Sequence, residues 1–493
     1  MSIPDHPEAV SQVAGEPSRS RFIVSYIVGF ALFMQLLDST VVAMALPAMA
    51  RTFGEDPVRM NVVITSYLLS VSVFIPICGW VADRFGARNV FVAAIVLFTI
   101  SSVACGLANS LGQLVVARLL QGMAGAMMVP VGRIVMLKSV TKADLMQATA
   151  FLTVPALMGP VLGPPIGGLI TTFGSWRWIF LMNLPVGILG VIMACIYIRN
   201  IREEHVPPLD WKGFILMGGA LAGLVLGFEM LTHGDASWPI SSGILGAGAA
   251  ALWLYMRHAR RTEAPLIDFS LMKIRTFYAS VVSGNFCRFD ISASPFLLAL
   301  LLQVVFGLSA VAAGMITAAG AVGAVMAKFL ITPLFKQFGF RSVLVVNGMA
   351  SGLAIGASAL FTPTTPHLVM AIVLFVAGML RSTQLTGINT LTFADISPER
   401  MSAATTLSSM LQQLAFSVGV GIAAVTLQAS MSARGDTELS GFDVRVGIIV
   451  VAVLAAASAI GFSRLARDAG DEVSKHHTDE RRRLDDPASG GHH

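Results

Sequence analysis

The chain has 493 residues, of which 55% are hydrophobic and 12% charged, and its mean hydropathy is +0.75. A water-soluble fold of this length cannot hide that much apolar surface, so the composition excludes a soluble enzyme or scaffold and requires an all-α polytopic membrane protein. The net charge of +5 is therefore a matter of loops and topology, and gives no reason to expect nucleic-acid binding.

Runs of roughly twenty apolar residues predict fourteen transmembrane helices. Their limits are 22–50, 58–82, 89–108, 112–137, 144–173, 177–198, 211–232, 239–257, 276–305, 308–335, 341–361, 367–392, 401–430 and 443–465. Residues 1–21 carry prolines and charges without a cleavable signal pattern, and read as a cytoplasmic tail. Residues 467–493, with Arg481-Arg-Arg483, read as a disordered one. With the N-terminus inside, the inner connections hold roughly fifteen lysines and arginines and the outer ones roughly five, which places both termini in the cytoplasm. Cys78, Cys105, Cys195 and Cys287 lie in separate apolar runs, without metal-ligand spacing.

In the first helix, Asp38 is a lone carboxylate deep in an apolar run. The connection after the second helix, Gly79-Trp-Val-Ala-Asp-Arg-Phe-Gly-Ala-Arg88, returns as Thr332-Pro-Leu-Phe-Lys-Gln-Phe-Gly-Phe-Arg341. Other pairs, such as Gly122-Met123 and Gly378-Met379, repeat at a similar offset of about 250 residues, the mark of an internal duplication. The duplication divides the chain into a first six-helix unit (22–205), two inserted helices (206–262) and a second six-helix unit (263–466). In the loop itself, Gly79 permits close helix approach and Gly86 a positive φ. Asp83, Arg84 and Arg88 supply charges suited to a conformational latch. Arg118 in the fourth helix is an intramembrane charge, and such charges are costly and usually functional. By helix rise it sits about 10 Å from the outer end, on a level that Asp38 can share. Low-dielectric surroundings favour a protonated acid and a nearby guanidinium an ionised one, so the pair suits either proton carriage or a permanent lock.

In the fifth helix Gly159, Gly163 and Gly167 form a bare stripe beside Pro160, Pro164 and Pro165, with Gly168 following. The stripe is expected to seal the interface between the two units. Trp176 to Gly187 reads as architectural. In the second unit Asp290 stands at the repeat offset from Asp38, which makes it that unit's counterpart candidate; the alternative is a local ion pair with Lys328 or with Arg288, although residues two apart face differently. Arg288, Lys328, Arg381, Asn389 and Gln412 are the candidate cavity residues, since facing lipid would be expensive. No GxxxxGK[ST] phosphate loop or plausible nucleophile–base set is present.

Leu37-Asp-Ser-Thr-Val-Val-Ala-Met-Ala-Leu-Pro47, the Gly79–Arg88 loop, Arg118 to Ala126, Gly159 to Gly168 and Trp176 to Gly187 together resemble the motifs of the fourteen-helix drug:H⁺ antiporter family of the major facilitator superfamily. This is the EmrB/QacA group, and Phe33 to Asp38 and Gly125 to Val131 resemble its MdtD/HsrA-like subgroup. Ala43 and Ala87 depart from the family pattern, where asparagine and a basic residue are usual. The resemblance implies two six-helix bundles working by alternating access, with a small, amphipathic substrate leaving as protons enter. Asp38, Arg118 and Asp290 are then the proton-coupling candidates. It further implies no cofactor beyond the proton gradient, no enzymatic activity, a monomer, and a bacterial inner-membrane location. Two alternatives remain: a proton symporter or uniporter of a metabolite on the same fold, against which the glycine-proline motif of the fifth helix argues, and a non-transporting membrane receptor or scaffold, against which the intramembrane Asp38, Arg118 and Asp290 argue.

Overall fold

The computed structural model describes residues 22–470 apart from 56–59, 61, 142–143, 201, 203–205, 233–237, 264, 436–438 and 467–468. The two tails therefore lie outside the described residues apart from Ala469 and Gly470. Every regular element among the described residues is a helix, and none of them forms a strand. The helices are α1 (Ile23–Phe53), α2 (Val62–Phe85), α3 (Ala87–Leu107), α4 (Leu111–Ser139), α5 (Leu145–Phe173), α6 (Asn183–Tyr197), α7 (Trp211–Thr232), α8 (Trp238–Ala259) and α9 (Arg275–Val305). After them, Ala310–Ala357 is one run broken by Gly339, giving α10 (310–338) and α11 (340–357). Then come α12 (His367–Ala394), α13 (Met401–Arg434) and α14 (Gly441–Phe462).

Every expected span falls on one of these helices. Several run further than hydropathy suggested, since α1 continues to Phe53 and α13 to Arg434. Each extension carries an arginine, Arg51 or Arg434, and reaches past an apolar slab of about 30 Å. Among the described residues, twelve helices are long and apolar enough to cross a membrane. That count takes α10 and α11 as one and registers α5 only as the short apolar piece Leu145–Ala156.

Backbone punctuation follows the sequence. Gly86 has φ 89° and Gly339 φ 71°, a region closed to most side chains. They occupy equivalent places in the two repeats, each turning one helix into the next. Pro76 sits in a 3₁₀ turn, Ile75–Ile77, that interrupts α2. The last turns of α9, Leu300–Val305, are π-helical after Pro295. Such breaks are tolerated in membrane helices where neighbours satisfy the freed backbone groups.

Helices α1 to α6 pack as one bundle and α9 to α14 as a second. The inserted pair α7–α8 packs on itself, and α7 lies along the seam formed by α2 and α13. The end that carries the Gly79–Arg88 connection is called the loop end here. At the loop end a single apolar core runs through both bundles. It joins Cys78 and Ala82 of α2 and Leu145 of α5 to Phe335 of α10, Ile388 of α12 and Leu407 of α13. At the opposite end the core is split. One half is built on Val41, Leu114 and Phe180, the other on Leu297, Ile355 and Leu427. The molecule is therefore sealed between bundles at the loop end and divided at the other. Large side chains such as Phe173, Phe329, Leu353 and Leu360 stand exposed on the outside, where lipid is their solvent.

Candidate functional site

Four helices of the first bundle converge on Asp38. Arg118 Nη1 on α4 donates to Asp38 Oδ2 at 2.6 Å and to Gln121 Oε1 at 2.7 Å. Gln121 Nε2 returns a bond to Asp38 Oδ1 at 3.1 Å, and Asn183 Nδ2 on α6 donates to the same oxygen at 3.0 Å. Asn183 also donates to Ser102 Oγ on α3, which in turn donates to Phe180 O. The Arg118 Nε reaches Val63 O on α2, and its guanidinium stacks 4.6 Å from the Tyr67 ring. Asp38 is 0% and Arg118 1% exposed.

Arg118 and Gln121 are three apart, so they share a helix face, and both aim at α1. The carboxylate thus receives three donors, two from neutral amides, in surroundings without water access. Ionised, it is held by hydrogen bonds and one opposite charge, which is what a buried charge requires. If it were protonated, Arg118 would retain two neutral acceptors, Gln121 Oε1 and Val63 O.

The second bundle departs from expectation at Asp290. Its partner is Arg381 on α12, with Nε 3.2 Å from Oδ2, and Ser294 Oγ donates to Oδ1. Neither Arg288 nor Lys328 pairs with it. Arg288, two residues from Asp290, leaves α9 in another direction and donates to Asn285 Oδ1 at 3.0 Å and Asn389 Oδ1 at 3.1 Å. Lys328 donates to the Thr386 hydroxyl. Gln412 is present on α13 with its Oε1 buried and unpartnered. Arg381 is therefore neutralised, while Arg288 and Lys328 meet only neutral oxygens.

Several residues around these clusters lay outside the sequence reading. Gln121 stood inside the motif quoted for Arg118, and Asn183 inside the stretch read as architectural. Ser102 carried no signal beyond a hydroxyl in an apolar run. Arg133, in the run Val129 to Leu137 of α4, is 9% exposed. The intramembrane-charge rule that selects Arg118 would have selected it too.

At the loop end the latch residues bridge the bundles. The Ser402 hydroxyl on α13 donates to Asp83 Oδ1 at 2.5 Å, and Lys138 Nζ lies 3.9 Å from Asp83. A Cβ on Gly79 would lie 2.5 Å from Thr406 Oγ1 and 3.0 Å from Ser402 O. Arg88 Nη2 donates to Cys195 O at 2.6 Å, holding α3 to α6, while Arg84 is exposed. Gly86 abuts the Asn200 side chain.

The stripe on α5 corrects another expectation. Gly159 and Gly163 pack against α1 within the same bundle, not across the interface between bundles. A Cβ on Gly159 would lie 2.9 Å from Leu37 N, and one on Gly163 would overlap the Thr40 hydroxyl. The physical reason is that α5 packs extensively along α1, and bare positions allow that approach. Gly167 is buried in the same helix, and for Pro160, Pro164, Pro165 and Gly168 only the helical backbone is described.

No group of three or more His, Cys, Asp or Glu able to hold a metal occurs among the described residues. What the arrangement offers chemically is a buried carboxylate–guanidinium pair in one bundle and, in the other, two buried cations, Arg288 and Lys328, with neutral partners.

Comparison with known proteins agrees with this architecture. The Major Facilitator Superfamily model matches residues 28–420. MdtD of Escherichia coli O6:H1 (strain CFT073), assigned as a multidrug resistance protein, is 39% identical over 406 residues, covering 82% of this chain and 85% of that protein. MdtD of Salmonella paratyphi A is similar to the same degree. Among solved structures, the human organic anion transporter MFSD10 superimposes with a TM-score of 0.62 at 15% identity, covering 91% of this chain and all of that one. A double-tryptophan mutant of XylE gives 0.63, also at 15% identity, covering 93% and 99%. At such identity these two likenesses concern the fold.

Proposed function

The chain belongs to the major facilitator superfamily and is a multi-pass membrane transporter, and from this premise we propose that it is a proton-coupled exporter of small amphipathic molecules. The observation that carries the reading is the enclosed network of Asp38, Arg118, Gln121 and Asn183, assembled from α1, α4 and α6. A carboxylate with no solvent contact cannot exchange protons where it stands. It exchanges them when the bundles move, so protonation is tied to conformation. With the proton on, the ion pair is lost and Arg118 falls back on Gln121 Oε1 and Val63 O; with it off, the pair re-forms and draws α1 to α4. Coupling then follows from linkage, because the proton binds one conformation better than the other.

The loop-end seal through Asp83, Ser402 and the shared apolar core, with a split core opposite, is one of the two limiting states of alternating access. By the distribution of basic residues the loop end is cytoplasmic, so this state faces outward, with both termini inside and the protein in the bacterial inner membrane. The names of the MdtD relatives favour toxicants or drugs as substrates, extruded without a cofactor other than the proton gradient. In this reading Asp290 is a charge partner for Arg381 that fixes α9 to α12.

The deciding experiment compares wild type with Asp38→Asn in proteoliposomes carrying an imposed pH gradient. The asparagine keeps the shape and one acceptor but cannot ionise. Uphill extrusion should vanish while downhill substrate exchange persists. An asparagine variant that still exports against a gradient removes Asp38 from the coupling role and leaves the Asp38–Arg118 pair as a structural lock.

A further inference from the structure

The connection before α7 and the end of α8 lie together at the loop end. Trp80 Nε1 of α2 donates to Pro207 O at 2.8 Å, and His258 Nε2, in the last turn of α8, lies 2.8 Å from Asp210 Oδ1. One face of this stretch of α8 is anchored. Besides the His258–Asp210 contact, the buried Tyr255 hydroxyl accepts from Ile267 N at 2.9 Å, and Thr262 Oγ1 donates to His258 O at 3.0 Å. Another face is bare. Trp253 is 55% and Met256 41% exposed, with Arg257, Arg260 and Arg261 exposed beside them. These five residues line a cleft of about 360 Å³, in which the Arg257 guanidinium lies 5.8 Å from the Trp253 ring centroid.

Among the described residues none of the three arginines has a hydrogen-bond or ion-pair partner for its side chain. Of the acids close by in sequence, Asp210 is taken up by His258 and the amides of Gly213 and Leu266, and Glu263 lies outside the cleft. Helix α8 packs against α7 and is the least buried of the described spans, so its free face is turned to lipid. Helix rise puts the arginines about 6–12 Å beyond Trp253 along the axis. Tryptophan suits the edge of the hydrocarbon layer, and the headgroup layer beyond it is about 5–7 Å thick. Helical side chains lean towards the N-terminus, so Arg260 and Arg261 reach back from the end of α8 into that layer.

Cations in a last turn suit the helix dipole, but the dipole does not account for a bare tryptophan and methionine in the same cleft. A phospholipid complements both, with an acyl chain for the apolar wall and a phosphate for the guanidinium forks. Three uncompensated charges favour a headgroup that keeps its negative charge over one whose ammonium cancels it. We propose that Trp253, Met256, Arg257, Arg260 and Arg261 form a headgroup site for an anionic phospholipid in the leaflet at the loop end, carried by the inserted helix pair rather than by either bundle.

The test is native mass spectrometry of full-length protein in mild-detergent micelles, titrated with dioleoylphosphatidylglycerol, dioleoylphosphatidylcholine or glycerol 3-phosphate. Each basic residue at a membrane surface is worth about fivefold in affinity for an anionic lipid. Wild type should therefore bind phosphatidylglycerol at least about tenfold tighter than phosphatidylcholine. Changing Arg257, Arg260 and Arg261 together to glutamine should bring the two lipids within about twofold of each other, with phosphatidylcholine binding and melting temperature as in wild type. Changing Arg199, Arg202 and Lys212 to glutamine removes the same charge from exposed positions at the same end and should keep the preference. If the cleft triple misfolds, Arg257→Gln alone decides, and should lose about fivefold of the preference. Equal binding of the two lipids by wild type, a preference that survives the cleft substitutions, or an equal loss in the control triple overturns the proposal. So does glycerol 3-phosphate binding as tightly as phosphatidylglycerol, because the ligand would then be a soluble phosphate.

Discussion

Removing Arg118 tests whether the buried network is a balanced unit. In Arg118→Met, Asp38 loses its only charged donor, at 2.6 Å, and keeps the amides of Gln121 and Asn183. Gln121 Oε1 and Val63 O lose their arginine donor at the same time. Breaking a buried ion pair by deleting one partner costs about 3–5 kcal/mol, because an uncompensated charge stays behind. Asp38→Asn should cost less, about 1–3 kcal/mol, since Arg118 retains two neutral acceptors and the asparagine oxygen. The double variant removes both charges, so its loss should fall short of the sum of the singles by roughly 2–3 kcal/mol. Unfolding by SDS in mixed micelles measures this, with a thiol-reactive dye reporting on the buried Cys78, Cys105 and Cys287. Additive losses, or an Arg118→Met variant as stable as wild type, would refute the claim that the pair is energetically coupled.

The α1–α5 contact makes a second, purely steric prediction. Gly163→Ala should destabilise by about 1–3 kcal/mol through overpacking and be rescued by Thr40→Gly, which removes both the hydroxyl and the Cβ at 2.8 Å, but only in part by Thr40→Ala, which keeps that Cβ. Gly159→Ala meets backbone at Leu37 N and should resist side-chain rescue, and equal rescue of both in SDS unfolding contradicts this. At the latch, Gly79→Cys with Thr406→Cys, in a background without native cysteines, should cross-link under mild oxidation and block transport until reduced. Rapid cross-linking with undiminished transport would show that the loop end does not open. Asp210, in the connection before α7, is pushed up by burial but held net below the usual carboxylate range by the Gly213 and Leu266 amides and His258. Its folded pKa is depressed, so its contribution to stability is full above the unfolded value of about 3.9 and is lost as pH falls through the folded value. Asp210→Asn should therefore flatten the acid limb of a melting-temperature profile taken downward from pH 7, and an unchanged limb would remove Asp210 as its source.

Most of the fold was legible because apolar runs report membrane helices directly and a duplicated loop exposes the repeat. Helix rise made legible that Asp38 and Arg118 can share a level, though not that they meet. Azimuth was the harder quantity. Asp290 and Arg288 are neighbours in sequence, yet a separation of two turns them to different faces, and the true partner, Arg381, came from another helix. The glycine stripe announced a close approach without saying to which helix, and its partner was α1. Asn183 was hidden by context, since tryptophans and a proline around it suggested an interface role. Arg133 was legible and passed over, although the rule for intramembrane charges selects it as readily as Arg118.

The joined core at the loop end and the split core opposite give the transport cycle a thermal character. Opening the loop end hydrates apolar side chains such as Leu407 and Met410 of α13, while the two opposite cores come together over a separate surface. Exposed apolar area raises heat capacity, and apolar attraction weakens on cooling. If the areas exchanged at the two ends are unequal, the balance between the two access states curves with temperature. A cold membrane then favours whichever state leaves more apolar surface wet, and the cycle slows by dwelling there rather than by any change in its chemistry.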